Sequence, residues 1–106
     1  MRALVLLSLV LLVPVALAGA THEVDVRNSG YTDVESGTPV TSIHVGDTVL
    51  WRNLEGHHTI TDIDGSASHG GFSAGETASH TFTAPGVTPY RCSFHLNMHG
   101  LIVVGP

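Results

Sequence analysis

Past Ala20 the chain is a succession of short β-prone runs broken by Gly, Pro, Asp and Asn, and no stretch sustains a helical period. A chain punctuated in this way buries its apolar residues by pairing strands and stacking the resulting sheets. The runs that read as strands cover residues 22–27, 40–45, 48–53, 58–63, 77–83, 88–92 and 101–104. They predict an all-β sandwich of about seven or eight strands. Gly46-Asp47, between the alternating Ile43/Val45 and Val49/Trp51, predicts a tight turn between two strands, with Val49 and Trp51 facing the core together. After Pro89, Tyr90 and Cys92 share a face. The Gly- and Ser-rich stretch 64–75 is expected to be a surface loop or a weakly formed edge.

Met1-Arg2 opens an almost unbroken run of Leu, Val and Ala that ends in small residues, the pattern of a secretory signal peptide. Cleavage fits after Ala18 or after Ala20. The later cut is preferred, which makes residues 1–20 the signal peptide and 21–106 one domain. An uncleaved anchor is the competing reading, against which Pro14 and the small-residue ending weigh. No cysteine stands directly after the cut, so a lipid anchor is not expected. The expectation is therefore an exported monomer, periplasmic or extracellular, with no stable membrane insertion after cleavage. Beyond Ala20 three Arg and no Lys stand against nine carboxylates, a net charge of −6 with His neutral. Such a surface disfavours nucleic acid and anionic membranes and favours a basic partner.

Small exported domains commonly staple themselves with disulfides, yet Cys92 is alone and can form none within the chain. A lone thiol in an oxidising compartment is either buried and inert or held as a thiolate by a metal.

Cys92-Ser93-Phe94-His95-Leu96-Asn97-Met98 decides between these, because it places Cys, His and Met at positions i, i+3 and i+6. A loop of that length between two strands can curl around one ion. Two imidazoles and a thiolate, with a weak thioether on the axis, form the site that copper uses for one-electron transfer. The loop therefore lacks only a second His. Of the eight His, the one in Gly56-His57-His58-Thr59-Ile60 is chosen by strand alternation: His58 shares the face of Ile60, while His57 points outward. His57 and His99 read as solvated surface His, with auxiliary copper loading as the alternative. His80 shares a face with Phe82 and is expected to be partly buried. His22 carries one alternative, weak copper binding at a freshly cut N-terminus.

Taken together, Gly46-Asp47-Thr48-Val49-Leu50-Trp51, His58-Thr59-Ile60, and Tyr90-Arg91-Cys92 with the His95 and Met98 spacing resemble the plastocyanin, pseudoazurin and amicyanin family of cupredoxins, over roughly residues 22–104. The two-residue gaps on either side of His95 are most similar to the amicyanin loop. The resemblance implies a Greek-key sandwich with one type 1 copper, His58, Cys92 and His95 as strong ligands, and Met98 as the weak axial one. It departs from the family at Thr59, where many members carry an Asn that ties the two ligand loops together. A Thr hydroxyl is a less rigid replacement.

An electron carrier, not an enzyme, is the function this implies. Multicopper oxidases need paired His-X-His motifs, and the chain has none. A binuclear copper centre needs two bridging cysteines, and zinc gains nothing from Met98. The remaining alternative is a periplasmic copper chaperone using the same site. Electrons are expected to pass through His95, with redox partners docking on a small apolar patch of Leu96 and Pro89. Glu55, Asp62 and Asp64 would steer a basic partner.

Overall fold

The structure, a computed structural model, describes residues 19–63 and 68–106. Most of the expected signal segment, 1–18, and the expected steering residue Asp64 lie outside the described residues. Among those described there are nine strands and no helix: β1 (Thr21–Arg27), β2 (Gly30–Asp33), β3 (Val40–His44), β4 (Thr48–Asn53), β5 (His57–Ile60), β6 (His69–Ser73), β7 (Thr77–Thr81), β8 (Gly86–Arg91) and β9 (His99–Gly105). No helix among them is long and apolar enough to cross a membrane.

One sheet has the order β2-β1-β4-β7 and the other β3-β9-β8, while β5 and β6 form a separate antiparallel pair. Thr61 bridges to Arg91 and so ties the end of β5 to β8. Two of the pairings are parallel, β1 with β4 and β3 with β9. The all-β sandwich is therefore as the sequence predicts, with two additional strands. Strand β2 exists because its backbone pairs with β1 from Val24 to Arg27. Strand β6 occupies part of the stretch expected to be a surface loop or a weakly formed edge, where Gly70 and Gly71 weaken the strand signal and pairing with β5 supplies what propensity does not.

The turn at Gly46-Asp47 forms, with Gly46 at φ 94° and the Asp47 amide donating to the His44 carbonyl at 3.0 Å. It does not close a hairpin. Strand β3 belongs to one sheet and β4 to the other, so the turn carries the chain across the core. The expected strand 58–63 stops at Ile60, and Asp62, at φ 70°, turns the chain away.

Alternation on β4 and β9 points Val49, Trp51, Ile102 and Val104 into one core with Val24, Val26, Ile43 and Tyr90. Each fully buried aliphatic side chain contributes about 1.5–3 kcal/mol relative to exposure. Edge-to-face contacts run from Trp51 to Tyr90 (5.5 Å) and from Tyr90 to Tyr31 (4.6 Å), which fills the space beneath β5. His80 is half-buried in an edge contact with Phe82 at 4.7 Å.

At the opposite side of the first sheet the Asp47 carboxylate accepts the amides of Ala20 (2.8 Å) and His44 (3.0 Å) and meets the His22 ring at 3.1 Å. The His44 amide, against the opposing pull of burial, and then the Ala20 amide and His22 ring hold this carboxyl below the usual carboxylate range. A carboxylate favoured in the folded state stabilises above its unfolded pKa and ceases to do so as pH falls through the lower folded value. Chemical denaturation between pH 7 and pH 3 should therefore show stability falling more steeply in the parent than in Asp47→Asn. Equal slopes would show that Asp47 bears no such load. Ile102→Ala, which empties a fully buried site on the central strand β9, should lower the unfolding free energy by about 2–5 kcal/mol. A loss under about 1 kcal/mol would mean the core collapses to fill the space.

Candidate metal centre

Four segments meet at one end of the sandwich: the 53–57 turn, β5, the Cys92–Met98 loop between β8 and β9, and the Asn28-Ser29 turn. Asn53, pointing inward at the end of β4, organises the first of these. Its amide donates to the carbonyls of Gly56 (2.9 Å) and Phe72 (2.8 Å), and its oxygen accepts the Glu55 amide at 3.0 Å. Gly56, at φ 79°, is packed so closely that a Cβ would run into the Asn28 side chain. The turn then delivers two histidines to opposite faces of β5.

His58 is fully buried and His57 exposed, as alternation predicts. The His58 ring donates its Nε2–H to the Glu55 carbonyl at 2.8 Å. That bond places the proton on Nε2 and leaves the Nδ1 lone pair facing Cys92 Sγ at 3.9 Å. His57 turns away toward Ser73 Oγ (3.0 Å) and stacks on Phe94. Thr59 is buried as well, which breaks the alternation, because a register irregularity between His58 and Ile60 lets the ligand loop pack over it.

The second loop is closed by the Cys92 amide on the Met98 carbonyl (3.0 Å) and the Met98 amide on the His95 carbonyl (3.2 Å). This winding brings His95 Nδ1 to 3.4 Å from Cys92 Sγ and sets the two imidazoles 4.9 Å apart. Cys92 and Met98 are buried, whereas His95 is partly exposed beside a cleft lined by Asn28, Ser29, Leu96 and Asn97. One ligand atom from each of His58, Cys92 and His95 lies within 4.8 Å of the others, and among the described residues no other cluster of this kind forms. His99 does not join it and contacts the Leu96 carbonyl at 3.1 Å. His22 is engaged by Asp47.

The thiol is prepared for a metal. Burial alone would push Cys92 up, but the His95 ring, the amides of Thr59 and Phe94, and the His58 ring outweigh it and bring the thiol down to about 6. Two imidazole Nδ1 atoms and a thiolate, converging where the site is mostly dry, suit a soft, thiophilic transition metal. The residues that pattern reading missed are Asn53, Glu55 and Asn28, which hold the turn beneath His58. The only sequence signal for them is the turn-forming composition of 53–56.

No protein-family profile matches the chain. Solved structures do. A reduced amicyanin variant is 32% identical, with 78% of this chain and 80% of that one covered at a TM-score of 0.64. The Cu(I) form of another amicyanin variant is 30% identical over 87% of each chain, TM-score 0.67. An oxidized amicyanin variant is 29% identical over 78% of this chain and 80% of that one, TM-score 0.68.

In the metal-free reduced protein, alkylation of Cys92 by iodoacetamide should reach half its maximal rate near pH 6, whereas an ordinary thiol of pKa 9.0 would do so about three pH units higher. His95→Ala should move that midpoint upward. A parent midpoint near 9 would contradict the hydrogen-bonding account.

Proposed function

Because the chain belongs to the amicyanin family of cupredoxins, we propose that it is a small exported blue copper protein that shuttles single electrons between partner proteins. His58, Cys92 and His95 would hold one copper ion, with Met98 as a weaker fourth donor. Copper in such a donor set supplies a one-electron Cu(II)/Cu(I) couple. The observation that carries the reading is the convergence of His58 Nδ1, His95 Nδ1 and a lowered Cys92 thiol at one point.

The two imidazoles have different tasks in this reading. His58, fixed by the Glu55 carbonyl and wholly buried, holds the site. His95 reaches the surface and offers the shortest bonded route outward. Around it Leu96 is 94% and Phe94 60% exposed, which forms an apolar surface suited to brief docking. Phe94 joins Leu96 in this patch, and Pro89, also expected there, is exposed on β8. The three arginines of the described residues are paired, Arg27 with Asp25, Arg52 with Asp25 and Glu23, and Arg91 with Asp62. The unpaired carboxylates then dominate the field and favour a basic partner.

Export completes the proposal, with residues 1–20 as the leader and a cut after Ala18 as the alternative. Ala20 donates its amide to Asp47 and accepts the Thr48 amide at 2.9 Å. A cut after Ala18 would keep these bonds, and a cut after Ala20 would remove them.

One equivalent of Cu(II) should give an intense visible band that survives His57→Ala and is lost in Cys92→Ser and His58→Ala. Voltammetry should show a reversible couple with copper retained, and Leu96→Asp should slow exchange with a partner by roughly tenfold without altering the spectrum. Release of copper on each reduction would replace electron transfer with copper delivery as the function. A band that persists in Cys92→Ser would overturn the ligand assignment.

A further inference from the structure

The hydrogen bond from the Thr59 amide to Cys92 Sγ, at 3.4 Å, joins two chain segments 33 residues apart in sequence. Something must hold them in register. The Thr61–Arg91 bridge, with both backbone bonds made (2.9 and 3.0 Å), does so from one side. On the other side three hydroxyls meet: Thr59 Oγ1 with Ser93 Oγ at 3.2 Å, Thr61 Oγ1 with Ser93 Oγ at 2.8 Å, and Thr59 Oγ1 with Thr61 Oγ1 at 2.8 Å.

The protons of this cluster can be counted. Thr59 donates to Ser93, Ser93 to Thr61 and Thr61 to Thr59, so every hydroxyl donates once and accepts once around a closed ring. One lone pair of Thr59 is left over. It accepts the Ser93 amide at 2.8 Å. Nothing in the cluster is left unsatisfied, and the chain of donors fixes the direction in which Thr59 presents its second lone pair. Below, the Tyr31 hydroxyl donates to the Thr59 carbonyl at 2.5 Å. Burial first, then the nearby Cys92 charge, push that hydroxyl well above its ordinary range, so it stays a protonated donor. Thr59 is thus held at its carbonyl, its hydroxyl and its amide. Asp62, at φ 70°, turns the chain away directly after Thr61, which keeps Thr61 at the ring.

We propose that Thr61 and Ser93 are positioning residues, which act through Thr59 to hold its amide on the Cys92 sulfur and so set the reduction potential and the copper off-rate of the site. The inference rests on the copper reading above. A hydrogen bond to the thiolate withdraws electron density and favours the reduced ion, so loosening the ring lowers the potential.

The test uses the exported protein with Thr61→Val, Thr61→Ser and Ser93→Ala. In the metal-free form, amide hydrogen exchange read by NMR should show Ser93 and Thr59 exchanging roughly fivefold or more faster in Thr61→Val, the effect of losing one hydrogen bond. Thr61→Ser should restore protection. In the copper-loaded form, Thr61→Val and Ser93→Ala should lower the potential and speed copper release to a chelator by a similar factor, with Thr61→Ser again like the parent. Unchanged exchange at Ser93 and Thr59 in Thr61→Val would overturn the proposal, as would faster exchange with an unchanged potential and off-rate. A parent that never turns blue would instead sink the copper reading, while the exchange data still report on the ring.

Discussion

Lone pairs that converge repel one another, and here three of them, on two imidazoles and a thiolate, are brought within 4.8 Å in a largely buried space. The rest of the molecule is arranged to hold that convergence. Strand β5 ends under the bonds of Tyr31, and the turn before it is drawn tight by Asn53. The loop of Cys92 is closed on itself by Met98. A site assembled before its ion arrives has little reorganisation left to do when charge changes on it, which is the property a carrier of single electrons needs.

The donors are asymmetric in exposure as well as in position. His58 is fully buried and held by the Glu55 carbonyl, whereas His95 lies against a cleft and next to two exposed apolar side chains. An apolar rim on a molecule whose described arginines are all paired with carboxylates combines a sticky patch with a net negative field. Under the proposed function, such a surface would suit fast, brief contact with a basic partner.

The side chains that converge at the candidate site were legible in the sequence because they come from one loop and one strand. The i, i+3, i+6 spacing of Cys92, His95 and Met98 survives any uncertainty in the fold, and alternation alone separated His58 from His57. What was not legible depends on which backbone segments pair, not on local composition. Strand β2 is four residues long and is defined by pairing with β1. Strand β6 contains two adjacent glycines and forms against β5. The turn at Gly46 was correctly placed, but no local signal says whether its two strands pair or cross between sheets. The hydroxyl ring of Thr59, Thr61 and Ser93 is invisible for the same reason: Ser and Thr are common in strands and loops, and only the fold brings these three together.

Strand order has a temporal consequence. In the sheet that carries the ligand loop, β9 lies between β3 and β8, so neither neighbour has its partner until residues 99–105 are present. The parallel pairing of β3 with β9 joins residues 61 apart in sequence, and such long-range closure is slow. During biosynthesis the thiol of Cys92 is therefore made before the sheet that will shield it, and for that interval it is an open nucleophile in a chain with no second cysteine to occupy it. The last strand to appear is the one that ends this exposure.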